Sequence, residues 1–219
     1  MSSHHITSVE TLRRLYDPTR ERSAKKELPE LDGHCQQFIG LSPLVVVSTH
    51  SAQVSSPGAD ASPRGGAPGF VKVWDAQTLL IPDAPGNNRL DTLENIASGQ
   101  ALGVAGQAEV GLLFLVPGVD ETLRVHGLAV LSTAPAELKA CEDERRVPKL
   151  VIRLTVQGAY LHCAKALMRS ALWDASRHIE RSRLPSMGEM MRDQIAQYRG
   201  EDVAAETQAE MLERYRQTL

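Results

Sequence analysis

The segment LLIPDAPGNNRLD, residues 79–91, carries the clearest structural pattern in the chain. Its apolar start predicts a short buried strand over residues 78–81, which ends in a turn rich in proline and glycine. Beyond the turn, apolar residues at helical spacing predict a helix over residues 89–97. We therefore expect a strand, a tight turn and a helix in immediate succession.

The same turn is typical of an anion-binding site. If Asn87 or Asn88 caps the helix, its free backbone N–H groups attract negative charge, and Arg89 in the first turn can make a charged contact. This arrangement suits a phosphate group. In the alternative interpretation the asparagines only cap the helix, and Arg89 pairs with Asp91 or Glu94.

Further strands are predicted where short β-branched and apolar runs occur between turn signals. They are residues 44–48, 70–74, 111–116, 122–131 and 150–156. A connection rich in Gly, Pro and Ser over residues 55–69 predicts a long loop, either functional or disordered. Short strands with isolated helices, without alternating βαβ units, predict a mainly β fold of the barrel type with flanking helices.

Helical patterns occur at both ends of the chain. One helix is predicted to begin near Ser8 and a second near Pro29, before the strands. Three more are predicted after the strands, over residues 163–173, 186–198 and 203–218. We expect one structural domain in three parts: N-terminal helices in residues 1–40, a barrel core in 41–160 and a C-terminal helical segment in 161–219.

Composition narrows the function classes. The 219 residues are 42% hydrophobic and 23% charged, with a net charge of −3, so we expect no nucleic-acid partner. We expect no membrane span, because no apolar run approaches the required ~18 residues. No secretory signal is visible at the start, which makes the cytoplasm the expected location. These features favour a small-molecule ligand.

Three other groups of residues could contact a ligand, and the first of them suits a flat anionic ring system. Lys165, Arg169 and Trp173 recur at i, i+4 and i+8, so they share one stripe of the predicted helix, opposite a side that we expect to be buried. Alternatively this stripe is a solvated basic face. The glycine-rich stretch ASPRGG, residues 61–66, allows close backbone approach, and Arg124 and His126 share one side of their strand.

Two other chemistries are not expected. His162 and Cys163 are adjacent on a helical pattern, so their side chains diverge by about 100° and cannot form a base–nucleophile pair. The three cysteines are widely spaced without a CxxC pair. No ligand spacing supports a metal site that would join His34 and Cys35 to His162 and Cys163. No metal is therefore predicted.

The chain resembles the pyridoxamine 5′-phosphate oxidase-like FMN-binding split barrels, and within them a bacterial subfamily of FMN-dependent enzymes. The resemblance covers most of the first 175 residues. It rests on ITSVE (6–10), LSP (41–43), ASPRG (61–65), PGFV (68–71), residues 79–91, GLLFLVPG (111–118), ETLRVHG (121–127) and HCAKALMRSALW (162–173). PGNNRLD and HCxKALxRS are its most specific parts.

The resemblance implies an antiparallel FMN-binding split β-barrel that forms a homodimer, with two FMN molecules at the subunit interface. It places the FMN phosphate on the turn after the strand over residues 78–81. It places the flavin ring beside the preceding strand and loop. It also implies that the C-terminal segment closes over the flavin of its own or the partner subunit. The expected phosphate contacts are Asn87, Asn88 and Arg89. The expected ring and closing contacts are Ser62, Arg64, Gly65, Pro82, Arg124, Lys165, Arg169, Ser170 and Trp173.

Three departures from the subfamily pattern bear on substrate chemistry. Gly66 stands where an acidic residue is usual, His126 stands where an asparagine is usual, and residues 99–110 form a longer stretch than expected. The resemblance does not imply oxidation of vitamin B6. Neither the substrate nor a catalytic residue follows from the sequence.

The leading interpretation is an FMN-dependent oxidoreductase that transfers a hydride to or from a small substrate, with a nicotinamide as a candidate electron donor. FMN supplies the chemistry and no side chain need act as a nucleophile. The alternative is a non-catalytic protein that stores or senses flavin or haem, with His126 and His162 as the first haem ligands to test.

Overall fold

The computed structural model describes residues 4–51 and 58–217. Its centre is one antiparallel sheet of seven strands in the order β2-β1-β5-β6-β7-β4-β3. The strands are β1 (Leu44–His50), β2 (Ala59–Gly65), β3 (Lys72–Asp75), β4 (Thr78–Pro82), β5 (Ala108–Leu115), β6 (Thr122–Ser132) and β7 (Val151–His162). The sheet is open, with β2 and β3 at its edges.

Eight α-helices accompany the sheet in the described part of the chain. They are α1 (Val9–Arg13), α2 (Glu21–Ala24), α3 (Gly33–Leu41), α4 (Asp91–Ala97), α5 (Pro135–Ala140), α6 (Lys165–Ser170), α7 (Met187–Arg199) and α8 (Gln208–Arg216). Single 3₁₀ turns occur at Ala101–Gly103, Ala175–Arg177 and Arg181–Arg183. None of these helices is long and apolar enough to cross a membrane.

One hydrophobic core fills the inner side of the sheet. Alternate residues of the central strands point into it, among them Val47, Phe114 and Leu154, each fully buried. The helices α3 and α4 cover this side through Ile39 and Ile96. The prediction of a mainly β fold with flanking helices is confirmed.

The predicted loop over residues 55–69 was wrong in its middle. Residues 59–65 form β2 and pair with β1 along its whole length, from Leu44 opposite Gly65 to His50 opposite Ala59. Pro63 fits because β2 lies at the edge of the sheet, where one side of the strand makes no ladder hydrogen bonds. Residues 55–57 of the predicted loop lie outside the described residues.

Several element boundaries differ from the predictions. The first helix begins at Val9, next to the predicted Ser8, whose Oγ accepts a hydrogen bond from Thr11 N. The second helix begins at Gly33 instead of near Pro29, because Asp32 caps it. The last helix begins at Gln208 instead of residue 203, because Thr207 forms a capping box with Glu210.

Candidate functional site

A basic cleft of about 540 Å³ opens beside β2, the β4–α4 connection and the connection between β6 and β7. Five of the predicted FMN contacts line it: Ser62, Arg64, Asn87, Asn88 and Arg89. A smaller adjoining cavity of about 150 Å³ includes Gly65 and Pro82. Asp83 and Arg146 line both spaces, so seven predicted residues meet in one region.

Arg64 lies on the inner side of the sheet at its β2 edge. It stands opposite Val45, which is fully buried, and opposing residues of an antiparallel pair project to the same side. Its Nη1 is 3.5 Å from Asp83 Oδ1, and both side chains are 20% exposed. Its Nε is buried and has no hydrogen-bond partner among the described residues. The guanidinium group therefore retains donors for a ligand.

A hydrogen-bond chain fixes the wall of the cleft next to Arg64. Ser62 Oγ donates to Asp60 Oδ2 over 3.2 Å, and Thr92 Oγ1 on α4 donates to the same oxygen over 2.8 Å. Asp60 thus connects the edge strand to the helix. This connection holds β2 and the start of α4 on two sides of one opening.

The turn before α4 differs from the predicted anion site. The helix begins at Asp91 with Leu90 at the N-cap position, so neither Asn87 nor Asn88 caps it. Asn87 Oδ1 instead accepts a hydrogen bond from Arg89 N over 3.0 Å, and Asn88 adopts a left-handed φ of 60°. Asparagine tolerates this conformation better than most residues do.

Arg89 forms the pair that the alternative interpretation expected. Its Nε donates to Asp91 Oδ2 over 2.5 Å, and this hydrogen bond raises the pKa of the Arg89 guanidinium. The carboxylates of Asp91 and Glu94 already occupy the first turn of α4. Attraction of an anion to this cleft must therefore come from cationic side chains rather than from the helix terminus.

Sequence reasoning missed two cations of the cleft, Arg146 and Lys149. They precede β7, whose first residue, Val151, pairs with Pro82 at the end of β4. The basic pair Arg145–Arg146 was visible in the sequence. Its place beside residues 83–89 was not visible, because it depends on the pairing of strands about 70 residues apart.

Arg124 and His126 lie on the opposite, outer face of the sheet. Arg124 pairs with Leu113 on β5, and Leu113 pairs with Val46 on β1. These three side chains therefore lie on the face of the sheet opposite to the buried side chain of Val45. A second cavity of about 480 Å³ lies here between the sheet and α6. Its lining includes Leu113, Arg124, His126, His162 and Leu167.

The N-terminal segment contacts β6 and β7 next to this outer cavity. Leu28 bridges to Ala159, and His126 Nε2 is 2.6 Å from Glu27 Oε1. The Arg124 guanidinium lies 5.3 Å from the centre of the Tyr160 ring. His162 Nδ1 is buried without a hydrogen-bond partner in the part of the chain that the structure describes.

The predicted stripe of Lys165, Arg169 and Trp173 was wrong in its geometry. Helix α6 ends at Ser170, because Ala171 adopts a left-handed φ of 49°, and Trp173 lies beyond the helix. Trp173 Nε1 donates to Val119 O over 2.9 Å, and Ser170 Oγ donates within its own helix to the Leu167 carbonyl. These predicted residues line neither of the two cavities.

The side of α6 that was predicted to be buried is largely exposed. Met168 and Leu172 are 63% and 46% exposed. Ala166 and Leu167 lie over the outer cavity, so α6 covers the outer face of the sheet without forming a core of its own. An apolar surface is left open at this position.

The cysteines and the departure at Gly66 have structural explanations. Burial raises the pKa of Cys35 and of Cys141 to about 11, so both are protonated thiols at neutral pH. No group of three metal-ligating side chains occurs within residues 4–51 and 58–217. A Cβ at Gly66 would lie 2.7 Å from Phe70 Cβ, so no acidic side chain fits there without rearrangement.

Comparisons with solved structures give low sequence identities. HupZ from Group A Streptococcus is 18% identical, with 59% of this chain and 92% of that chain covered and a TM-score of 0.45. A Lactobacillus delbrueckii protein named after pyridoxamine 5′-phosphate oxidase is 22% identical, with 62% and 98% covered and a TM-score of 0.39. An FMN-binding protein from Syntrophomonas wolfei is 9% identical, with 58% and 83% covered and a TM-score of 0.38.

The sequence itself identifies the family. No curated protein sequence matches the chain significantly. The family model for pyridoxamine 5′-phosphate oxidase matches residues 31–163, which is more than half of the chain. The matched range includes all seven strands and ends before the C-terminal helices. The chain therefore belongs to the pyridoxamine 5′-phosphate oxidase family.

Proposed function

We propose that the protein binds FMN and acts as an FMN-dependent oxidoreductase on a small substrate. The observation that carries this proposal is the basic cleft, in which cationic side chains from β2 and the β4–α4 connection surround an opening next to the end of β4. Membership of a flavin-binding family supports a flavin as the ligand. The buried Nε of Arg64, which has no partner among the described residues, supplies a donor that a ligand can satisfy.

In this proposal, different residues of the cleft contact different parts of FMN. Arg89 and Arg64 offer guanidinium donors to the phosphate, and Asn87 and Asn88 hold the turn in the conformation that exposes Arg89. Gly65 and Pro82 form the adjoining wall, where the absence of a side chain on Gly65 allows close approach. FMN, when bound, accepts or donates a hydride, whereas these side chains bind and orient it.

The positions of the other predicted contacts support the proposal of a homodimer. Arg124 and the α6 segment lie on the outer face of the sheet, whereas the basic cleft opens on the inner side at the β2 edge. One FMN in a single protomer cannot contact both groups through the sheet. We therefore propose that Arg124, Lys165, Arg169, Ser170 and Trp173 approach the FMN held by a second copy.

The exposed apolar surface of α6 supports this arrangement. Met168 on α6 and Leu172 just beyond its end are exposed, and Val46 and Leu113 on the outer face are only half-buried. Contact with a second copy would remove this apolar area from water.

A nicotinamide as the electron donor and the cytoplasm as the location remain predictions.

The first test is an absorption spectrum of the purified protein, followed by mass identification of the ligand released on denaturation. FMN bands near about 370 and 450 nm, and reduction of the bound flavin by a nicotinamide donor with reoxidation by an acceptor, are expected. Light scattering with FMN present should give twice the 23.9 kDa of one chain. A colourless protein that does not bind added FMN would overturn the proposal.

A second candidate function is non-catalytic binding of flavin or haem. His126 and His162 line one cavity on the outer face, and the His162 Nδ1 atom has no partner within the described ranges. A neutral imidazole nitrogen is a common metal ligand. Haem binding would produce a Soret band that His162→Ala removes, whereas a bound flavin that no donor reduces would favour storage or sensing.

A further inference from the structure

The outer cavity between the sheet and α6 has the size and the lining of a small-molecule site. Its volume of about 480 Å³ lies within the range of ~300–1,000 Å³ that is typical of such sites. One wall is the outer face of β5, with Leu113 and Leu115, and the other is α6, with Ala166 and Leu167. Because these walls are apolar, the cavity suits a ligand whose body is apolar.

The floor of this cavity is low at one end, where the outer face of the sheet carries small residues. Gly111 on β5 pairs with Ser48 on β1 and with His126 on β6. A Cβ at Gly111 would have one neighbouring atom within 4 Å, the Cβ of Ser48 at 3.8 Å. The space above Gly111 is therefore open, and a flat molecule can lie directly on the sheet there.

A single arginine projects from the same face into the cavity. Arg124 is exposed, and its guanidinium carbon lies 5.3 Å from the centre of the Tyr160 ring, from which Lys26 Nζ is 4.7 Å away. Within residues 4–51 and 58–217, the Arg124 side chain makes neither an ion pair nor a hydrogen bond. Asp120, the one carboxylate in the described lining, lies beyond ion-pair distance. The guanidinium donors are therefore available to an anionic ligand.

We propose that the outer cavity holds a small, flat, mainly apolar carboxylate whose carboxyl group binds Arg124, and that this molecule is the substrate of the proposed flavin enzyme. The apolar walls remove the body of the ligand from water, and a guanidinium group binds a carboxylate in a bidentate manner. In the proposed homodimer, the outer face of one copy approaches the FMN of the other, so the ligand would lie next to the flavin. The inference thus rests on the proposed function.

The test compares two probes of the same shape, 2-naphthoate and its neutral analogue 2-naphthamide. Calorimetric titration of the full chain, both free of flavin and saturated with FMN, should show naphthoate bound about tenfold or more tightly than naphthamide. Arg124→Gln should abolish this preference by weakening naphthoate alone. Arg145→Ala is the matched control, because Arg145 is exposed and lines neither the outer cavity nor the basic cleft. It should change naphthoate binding by less than about threefold.

A second variant tests the shape of the cavity without removing charge. Gly111→Val fills the floor from a position where the added Cβ meets only Ser48 at an ordinary contact distance, and valine is well suited to a strand. It should weaken both probes by about tenfold or more. Unchanged binding of both probes to this variant would overturn the inference.

Cys163 reports where the probe binds. Its thiol is exposed and lines the outer cavity, whereas no cysteine of the described residues lines the basic cleft. Saturating naphthoate should therefore slow the labelling of Cys163 by a thiol reagent. An unchanged labelling rate would mean that naphthoate binds elsewhere, for example in the basic cleft, and would overturn the inference.

The outcomes separate this inference from the function on which it rests. A protein that binds no FMN overturns the proposed function, and a naphthoate preference that depends on Arg124 then still supports the ligand class of the cavity. FMN binding with equal affinity for the two probes, or with a preference that Arg124→Gln keeps, overturns the inference alone. Competition between naphthoate and FMN does the same, because the flavin itself would then fill the cavity. Should Arg124→Gln fail to fold, as judged by circular dichroism, Gly111→Val and the Cys163 labelling decide the question.

Discussion

Two glycines at the bulge between β6 and β7 should respond very differently to the same substitution. Gly127 pairs with Val156, and Gly158 pairs with His126 next to the register shift. A Cβ at Gly127 would overlap the carbonyl oxygen of Thr155 and lie 2.9 Å from its carbonyl carbon. Because these are backbone atoms of a central strand, Gly127→Ala must displace the β6–β7 pairing.

The three atoms nearest to a Cβ at Gly158 belong to the ends of two flexible side chains. It would overlap His126 Nε2 and lie 2.6 Å from Glu27 Oε1, and these side chains are 48% and 52% exposed. Both can rotate away into solvent. The substitution then removes the His126–Glu27 contact, which at this exposure stabilises the folded protein by about 0–1 kcal/mol.

The expected free energies of unfolding follow from this contrast. Gly127→Ala should lose about 3 kcal/mol or more, because it adds overpacking to a displaced strand pair. Gly158→Ala should lose about 1 kcal/mol or less, partly offset by the lower flexibility of alanine in the unfolded chain. Urea denaturation followed by circular dichroism, at one protein concentration, measures both values.

A background variant tests the assigned cause. When Glu27 and His126 are both replaced by alanine, the added substitution Gly158→Ala should have little destabilising effect, because the three atoms nearest to its Cβ belong to these two side chains. A loss as large as that of Gly127→Ala, in either background, would refute the reasoning. It would mean that the β7 backbone at this position cannot accept a side chain for a reason other than these contacts.

Three further predictions concern the core, the thiols and the cleft. Phe114→Ala should lower the free energy of unfolding by about 3–5 kcal/mol, since Phe114 is fully buried, and urea denaturation measures this. A thiol reagent at neutral pH should modify Cys163 rapidly in the folded protein, whereas Cys35 and Cys141, buried and with a pKa of about 11, should react only after unfolding; early labelling of all three would contradict their burial. Arg89→Ala should weaken FMN binding by about 1.5–3 kcal/mol in a fluorescence titration; an unchanged dissociation constant would limit Arg89 to its pair with Asp91.

The sequence predicted those strands whose apolar runs lie between clear turn signals. The predicted strand over residues 78–81 and the observed Thr78–Pro82 nearly coincide, and the same holds for residues 122–131 and Thr122–Ser132. The strand predicted to end at residue 156 continues to His162. The bulge explains this error, because it inserts an extra residue, Gln157, and shifts the phase of the alternation.

The candidate site could be predicted only where local sequence determines it. Arg89 and the asparagine turn are adjacent in sequence, so their proximity needed no knowledge of the fold. Arg146 and Lys149 reach the same cleft through the β4–β7 pairing, which no local pattern specifies. The helical stripe of Lys165 and Trp173 failed for a different reason, because a left-handed residue at Ala171 ended the helix.

The two faces of the sheet make dimerisation and ligand binding interdependent in the proposed function. The basic cleft opens at the β2 edge on the inner side, and Arg124 with α6 lies on the outer face. If one FMN contacts the cleft of one copy and the outer face of another, FMN binds the dimer more tightly than the monomer. By linkage, FMN must then stabilise the dimer by the same free energy. Both the apparent FMN affinity and the dimer mass should therefore rise together as the protein concentration is increased.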